Sequence, residues 1–535
     1  MNLCREGRAH GAENLPHQVP DILLINGRIF TAVAERPFVE ALAISGEWIS
    51  ATGTTESVSS LAGPTTKVID LRGRLATPGF NDAHTHFSPE WTGRTLQFEG
   101  LEPTCEDVLK AVEEAAHDAP PGTTISGSIG ATAFFDPRCT PAKLAEIAPE
   151  HPVMLRTWTP HAAILNHAMT QKLGVDEKEP PVLGGFFGKN MRVKRWDGVV
   201  HEYAALRLHR EMHDLATEEA RLREMLDRCV RWGITSIQMM SLPNDPQRIV
   251  HLLSAIDPPI RVRVIPMPLT SATGRLKPDY PAVPAVIADR VRVDGLKWLL
   301  DGTPIERSVA LRKPYADEPG WSGVVIFPLA ELSRILHEAR NQGTQLMFHI
   351  AGDRATEALL QAMEQAGGPG TWFRRRVRIE HGDGIMPDLI PRARELGVVV
   401  VANPTHLTLG QLFLRRFGPD FMRGYQPIRS LLNAGVRLAI GSDGEMNPFL
   451  NIMFASMHPG RPSEAMTREE AIIAYTATSA HAEFEEERKG TLESGRMADI
   501  AVLSQDILKV PPQELPRTQS MLTIVGGKIV HNLLS

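Results

Sequence analysis

The chain has 535 residues, 42% of them apolar, and its 57 Lys and Arg against 63 Asp and Glu give a net charge of −6. This length allows a large domain plus a smaller one, and the interspersed charges exclude the basic surface of a nucleic-acid-binding protein. The polar start of the chain lacks the apolar segment of a signal peptide, and no later stretch has the length and apolar character of a membrane span. The cysteines lie too far apart for a zinc or redox motif (Cys4, Cys105, Cys139 and Cys229). We therefore predict reduced thiols in a cytoplasmic protein.

The two chain ends show related strand patterns, which follow a loose tail predicted for residues 1–18. In residues 21–30, Asn26-Gly27 separates two apolar runs and predicts a β-hairpin. Residues 522–530 repeat this design around Gly526-Gly527. We therefore predict that residues 19–76 and 489–535 form one small β-sandwich, although two unrelated edge hairpins would give the same pattern.

Between these ends, residues 77–488 alternate strands with amphipathic helices, which predicts an α/β fold with a parallel sheet. Eight strands are predicted, the number in a (β/α)8 TIM-type barrel, at residues 77–86, 234–240, 262–267, 293–300, 345–350, 377–380, 398–402 and 437–440. Residues 152–158 would form a ninth strand. We therefore assign them to an insertion at residues 87–216, which we expect to act as a lid or a wall of the pocket.

The first predicted barrel strand ends in His84-Thr85-His86. Because side chains alternate along a strand, both imidazoles lie on one face and can reach a single divalent metal ion. On its own such a pair is more often solvated or bonded to protein groups.

Further chemically active residues occur at the other predicted strands. His349, His381 and Asp443 stand at strand ends, and Lys297 interrupts an apolar run. Barrel enzymes collect their catalytic groups at the carboxyl ends of the strands, so we expect these side chains to meet the histidine pair. The set is typical of a metal-dependent hydrolase. Taken singly, His349 could bind a backbone carbonyl and Asp443 could cap a helix.

Several motifs resemble the amidohydrolase superfamily. They are Gly79-Phe80-Asn81-Asp82-Ala83-His84-Thr85-His86, His349-Ile350-Ala351-Gly352-Asp353-Arg354-Ala355, Arg378-Ile379-Glu380-His381, Gly441-Ser442-Asp443 and residues 489–500. Together with Lys297 ahead of Asp301-Gly302, they resemble the amidohydrolase 3 branch, whose members are similar to N-substituted formamide deformylases. The resemblance extends from about residue 20 to the end of the chain. It implies a metal-dependent barrel with a small β-sandwich built from both chain ends.

The resemblance also implies a ligand set. His84, His86 and Asp443 would hold the more buried metal ion, and His349 and His381 would hold a second ion. Lys297 would bridge the two ions as a carbamate, because a carboxylated amine is an anionic ligand whereas an ammonium group is repelled. Alternatively, Lys297 pairs with Asp301. Zinc is the expected metal, with two ions per chain; manganese, iron and cobalt are compatible, and a single ion remains open.

The sequence departs from the family pattern near the expected substrate. Thr159-Pro160-His161 replaces the usual Asp-Gly-His, and Asn403 stands where glutamine is common. His161 and Asn403 are therefore predicted to bind substrate, although His161 could be bonded within the insertion. Three carboxylates are predicted to orient the ligand histidines, unless they are surface or capping groups: Asp82, Asp353 and Glu380. Aromatic residues of the insertion could line an apolar pocket or form its own core: Phe134, Phe135, Trp158, Phe186 and Phe187.

These features predict hydrolysis of a non-peptide C–N bond, in an amide or an N-acyl or N-formyl compound, by a metal-activated water. Asp443 would be the catalytic base and would pass the proton to the leaving nitrogen. Two alternatives are a deaminase of heterocyclic amines with a single metal ion and an inactive barrel that serves as a binding protein. The expected partner is a small-molecule substrate, with no nucleic acid or membrane, and a homodimer is compatible with the sequence.

Overall fold

The computed structural model describes residues 19–534, apart from 89, 177, 192, 194, 213, 242–245, 272–273, 276–285 and 289. The predicted tail at 1–18 and Cys4 lie outside the described residues. The chain divides into two compact units. The first unit contains residues 19–81, 228–236 and 468–534, and the second contains residues 82–227 and 237–467.

Two sheets build the first unit. One has four strands in the order Trp48–Gly53, Ala41–Ser45, Ile22–Ile25 and Lys67–Asp70. The other has six strands from both chain ends, in the order Lys528–Asn532, Ser520–Val525, Ile500–Leu503, Leu75–Pro78, Arg28–Phe30 and Phe38–Val39. Apolar side chains of both sheets, such as Leu24, Ile44, Ile500 and Ile524, share one buried core.

The hairpin predicted for residues 21–30 is wrong. Both edges of Ile22–Ile25 are occupied by other strands, Ala41–Ser45 and Lys67–Asp70, so no edge remains for Arg28–Phe30. That strand belongs to the second sheet, and Asn26, with φ 53°, turns the chain from one sheet to the other. The C-terminal hairpin is confirmed, with Val525 opposite Lys528.

Two five-stranded sheets of the second unit contain the predicted barrel strands. The first has the order Val286–Ala288, Val291–Val293, Arg261–Ile265, Ile234–Met240 and Phe80–His86. The second has the order Leu296–Leu299, Leu346–Ile350, Arg378–His381, Val399–Ala402 and Arg437–Ile440. Every neighbouring pair of the second sheet is parallel. The predicted α/β class is confirmed.

Backbone hydrogen bonds join these two sheets at two places. The N–H of Lys297 donates to the carbonyl of Pro266 at 3.0 Å, and the N–H of Asp443 donates to the carbonyl of His84 at 2.7 Å. Thr85 and Asp443 also form an isolated parallel bridge. Two of the predicted metal ligands, His84 and Asp443, are therefore linked through the main chain.

The residues between the strands Phe80–His86 and Ile234–Met240 form a separate six-stranded sheet. Its strands, in spatial order, are Gly185–Phe187, Val199–Glu202, Ala162–Leu165, Val153–Thr157, Ile125–Ile129 and Arg94–Thr95. Val153–Thr157, which looked like a ninth barrel strand, is thus part of this insertion sheet. One face of it packs on helices through a core that includes Val153, Leu155 and Phe134.

The helices connect these strands. In the second unit, or starting in it, they are Cys105–Asp118, Ala131–Phe134, Pro141–Ile147, His167–Lys172, Tyr203–His209, Glu218–Arg231, Pro246–Ile256, Leu329–Gln342, Asp353–Gln365, Gly368–Trp372, Ile390–Glu395, Gly410–Met422, Ile428–Asn433 and Pro448–Met457. In the first unit they are Thr55–Ser59, Arg468–Ala474 and Ala477–Ala482. Gly343 ends Leu329–Gln342 as predicted, in the left-handed conformation that suits glycine. Within the described residues, no helix has the length and apolar character needed to cross a bilayer.

Candidate metal centre

The strand register brings the predicted ligands together. In the second sheet, His349 and His381 end neighbouring parallel strands, with Ile350 opposite His381. Asp443 follows the last strand of that sheet, Arg437–Ile440. His381 and Asp443 both have positive φ, 73° and 56°. Such strained backbone is uncommon outside glycine and clusters at functional sites, where it directs side chains inward from a strand end.

His84, His86 and Asp443 form the first group. The Nε2 atoms of the two histidines are 3.2 Å apart, and Asp443 Oδ1 lies 3.7 Å from His84 Nε2 and 3.5 Å from His86 Nε2. His84 Nδ1 is 2.6 Å from a carboxylate oxygen of Glu380 and therefore carries the proton. The lone pair of His84 is consequently on Nε2, which faces the other two side chains.

His349 and His381 form the second group. His381 Nδ1 donates to Asn403 Oδ1 at 2.8 Å, which leaves the lone pair on Nε2. His349 Nε2 donates to the carbonyl of Gly302 at 3.2 Å, which leaves the lone pair on Nδ1. These two lone-pair nitrogens face each other at 2.8 Å. Two acceptors at this distance repel unless a cation or a proton lies beside them, so the donor set fits a divalent metal ion.

The electrostatics favour neutral imidazoles, the form that binds metals. Burial lowers the pKa of His84 and lowers the pKa values of His349 and His381 well below the ordinary range. Burial alone would raise the pKa of Asp443, but its contact with His406 and the nearby imidazoles hold that pKa well below its usual value. The site therefore offers neutral nitrogen ligands beside a carboxylate anion.

Lys297 is part of the same cluster. Its Nζ lies 2.9 Å from His84 Nε2, and burial lowers its pKa to about 8. The alternative pairing of Lys297 with Asp301 is wrong. The carboxylate of Asp301 accepts the N–H groups of a neighbouring loop and helix start instead, at 2.8–3.1 Å (Ala310, Ala351 and Gly352).

The family model described as the amidohydrolase family matches residues 67–531. The chain belongs to the amidohydrolase family. It is 26% identical to N-substituted formamide deformylase of Arthrobacter pascens, over 95% of this chain and 98% of that protein. It is also 26% identical to LONG AFTER FAR-RED 3 of Arabidopsis thaliana, over 96% of this chain and 92% of that protein. The predicted resemblance to the amidohydrolase 3 branch is confirmed.

A solved structure supports the fold of this amidohydrolase. An uncharacterized metal-dependent hydrolase from Pyrococcus horikoshii OT3 superposes with a TM-score of 0.68 at 21% identity. The match covers 92% of this chain and 99% of that one.

Asp82 and Glu380, two of the three carboxylates predicted to orient the ligand histidines, contact His84. Asp82 accepts the backbone N–H groups of His84 and Ser442, and Glu380 accepts the ring N–H of His84. The contacts of Asp353 fit the alternative of a capping group: among the described residues, its carboxylate accepts the backbone N–H of Arg354 at the start of its own helix and the backbone N–H of Arg312. It stabilises the backbone at that helix start, because N–H groups there have no partner within the helix.

His161 and Asn403 have different surroundings. His161 Nδ1 lies 2.7 Å from Glu202 Oε2, and its ring is 4.8 Å from that of His349. Asn403 is fully buried, and both ends of its amide are used: Oδ1 accepts from His381 and Nδ2 donates to Gly441. This side chain therefore orients His381, and its predicted contact with substrate stays a prediction.

The sequence interpretation missed His406. Its Nε2 lies 3.3 Å from Asp443 Oδ2, and its ring stacks on His381 at 5.5 Å. Burial would lower the pKa of His406, but the carboxylates of Asp383 and Asp443 raise it to about 10. His406 follows Asn403 in the short helical turn Pro404–Leu409, directly after the parallel strand Val399–Ala402, and that position was the available signal.

The sequence interpretation also missed Arg378. Its guanidinium is fully buried and forms two hydrogen bonds with Glu380, at 2.7 and 2.9 Å. The two residues are separated by one position on the same strand, so the alternation rule could have found the pair.

The aromatic residues of the insertion are divided between two roles. Phe134 and Phe187 are buried in the core of the unit. Phe135 and Trp158 instead line a cavity of about 400 Å³, where the guanidinium of Arg307 lies 4.2 Å from the Phe135 ring centre. A cation over an aromatic face is a favourable contact, so this cavity is only partly apolar.

Proposed function

We propose that this amidohydrolase cleaves a non-peptide C–N bond of an amide, N-acyl or N-formyl compound with the help of two divalent metal ions, zinc being the expected metal. One observation carries the proposal: the lone-pair nitrogens of His349 and His381 face each other at 2.8 Å, and the lone-pair nitrogen of His84 faces His86 and the carboxylate of Asp443. The similarity to a formamide deformylase over almost the whole chain supports the choice of bond.

The proposed architecture is a closed (β/α)8 barrel at residues 77–488 with the insertion at 87–216. The hydrogen bonds from Lys297 to Pro266 and from Asp443 to His84 support closure, because they connect the two outer strands of the second sheet to the first sheet. A β-sandwich of residues 19–76 and 489–535 would complete the chain, and the core shared by its two sheets supports this.

The proposed ligands are His84, His86 and Asp443 for one ion and His349 and His381 for the other. Divalent ions at these positions would polarise a substrate carbonyl and lower the pKa of a bound water to about 7. Lys297 is proposed to join the two groups as a carbamate. A pKa of about 8 supports this role, because a substantial fraction of its amine is then neutral near pH 8 and can add carbon dioxide.

Asp443 is proposed as the base that accepts a proton from the attacking water and delivers it to the leaving nitrogen. Its Oδ1 faces the first histidine pair, while Oδ2 contacts His406, so the carboxylate is held in one orientation. Burial would lower the pKa of His161, but Glu202 raises it overall. With Nδ1 occupied by Glu202, Nε2–H of His161 can donate to the developing oxyanion.

The test is a substrate panel with the zinc-reconstituted protein. N-formyl and N-acyl amines, lactams and heterocyclic amines are assayed in parallel with metal analysis of the purified chain. We expect amide hydrolysis and two ions per chain. Ammonia release from a heterocycle with one ion would favour the deaminase, and a protein that retains no zinc and hydrolyses nothing would favour the binding scaffold.

A further inference from the structure

Arg156 places its guanidinium in an enclosed position on the insertion sheet. It lies on the insertion strand Val153–Thr157, and its described contact is with the ring of Trp91, 4.5 Å from the ring centre. Among the described residues, no carboxylate pairs with it. Other arginines of the insertion do have one, such as Arg138 with Asp136 and Arg207 with Glu179.

The direction of Arg156 follows from the alternation of the strand. Val153 and Leu155 face the core formed with the insertion helices, so Arg156 points to the opposite face of the sheet. Burial lowers its pKa to about 10, which leaves the guanidinium charged at neutral pH. The side chain is nevertheless partly exposed, so its donors can be reached by a ligand.

Three segments lead from the candidate metal centre to this position. Trp91 follows His86 by five residues, and Arg156 precedes His161 by five residues. His209 packs on the Trp91 ring at 5.5 Å, and it ends the helix that begins next to Glu202, the partner of His161. The guanidinium thus lies on the chain segments that hold His86, His161 and Glu202.

We propose that Arg156, held against Trp91, binds a carboxylate of the substrate, so that the preferred substrates are amides with a free carboxylate on the acyl or the amine side. The inference rests on the proposed amide hydrolysis. An arginine suits this role because its planar fork can donate two parallel hydrogen bonds to a carboxylate. Enclosing a charged group that has no partner costs free energy. Such a group is expected where a bound ligand supplies the opposite charge.

The first test compares release of formate from N-formylphenylalanine and from N-formylphenylalaninamide, in which a neutral carboxamide replaces the carboxylate. We expect the wild type to prefer the carboxylate by about 10- to 100-fold in kcat/KM, and Arg156→Met to remove this preference mainly through KM. Hydrolysis of the neutral amide should not change. The control is Arg138→Met in the same insertion, an exposed arginine already paired with Asp136, which should leave both rates unchanged. Equal rates for both compounds in the wild type and in Arg156→Met would overturn the carboxylate site while the proposed function stands.

The second test does not depend on turnover. The thermal midpoint of the zinc-loaded protein is measured with benzoate and with benzamide. We expect benzoate to stabilise the wild type more than Arg156→Met, and Arg156→Met without ligand to have an unchanged or higher midpoint, because an unpaired charge is removed. An equal benzoate shift in both proteins would overturn the inference. This outcome is independent of the proposed function, which is refuted if the zinc-loaded protein hydrolyses no amide of the substrate panel. A lower midpoint together with an unchanged benzoate shift would assign Arg156 to packing on Trp91.

Discussion

The replacement Glu380→Gln tests how the protein orients its metal ligands. Glu380 accepts the ring N–H of His84 at 2.6 Å and two hydrogen bonds from Arg378, and all three side chains are fully buried. The glutamine would keep the shape but lose the charge. Arg378 would then be a buried cation without its counter-charge, and His84 would lose the anion that fixes its tautomer.

The expected magnitudes follow from these two losses. Breaking one partner of a buried ion pair costs about 3–5 kcal/mol of stability. Loss of a carboxylate behind a histidine ligand lowers metal affinity by about 10- to 100-fold. We therefore expect Glu380→Gln to lower the thermal midpoint of the metal-free protein and, separately, to weaken zinc binding measured by competition with a chelator.

Glu483→Gln is the matched control. Glu483 pairs with Lys489 at 2.8 Å, both side chains are buried, and Glu483 also accepts a hydrogen bond from Asn81 at 2.7 Å but contacts no predicted ligand side chain. This variant should lower the thermal midpoint but weaken zinc binding much less than Glu380→Gln does. If Glu380→Gln bound zinc as tightly as Glu483→Gln does, the assignment of Glu380 to the orientation of His84 would be refuted.

The same carboxylate gives a pH dependence. Burial alone would raise the pKa of Glu380, but Arg378 and His84 hold it below its ordinary value of 4.5. A depressed pKa means that the ionised group stabilises the fold above pH 4.5 and that this contribution is lost as the pH falls below that value. The metal-free wild type should therefore lose more stability on acidification than Glu380→Gln does.

Two further predictions concern the reaction. Asp443→Asn should remain folded and retain much of its metal, but turnover should fall by about 10²- to 10⁴-fold or more, as measured by kcat on the best substrate of the panel; an unchanged rate would exclude Asp443 as the base. Lys297 should give a carbamate signal by ¹³C NMR when the zinc-loaded protein is equilibrated with ¹³C-bicarbonate, and Lys297→Met should lack this signal and hold fewer zinc ions; identical spectra of the two proteins would contradict the bridging role.

Much of the site could be predicted because it depends on regular strands. His84 and His86 follow from alternation along one strand, and His349 and His381 follow from the shared direction of parallel strands, whose carboxyl ends meet. These relations need only the local pattern and the order of the elements. The α/β class was predictable for the same reason.

The errors occurred where long-range contacts or side-chain directions decide the outcome. Asn26-Gly27 is a local hairpin signal, yet the adjoining strands pair with segments distant in the sequence. The contacts of Asn403 with His381 and Gly441 likewise depend on side-chain directions that the sequence does not give. His406 lies in a short irregular turn, where no periodicity reveals which way a side chain points.

The central claim is that distant histidines meet at one place to bind metal ions. Anomalous diffraction at the zinc edge, from crystals of the zinc-loaded protein, tests this claim most directly. We expect one peak at about 2.0–2.1 Å from the Nε2 atoms of His84 and His86 and a second at the same distance from His349 Nδ1 and His381 Nε2. Zinc bound elsewhere, with these four nitrogens free of metal, would contradict the account.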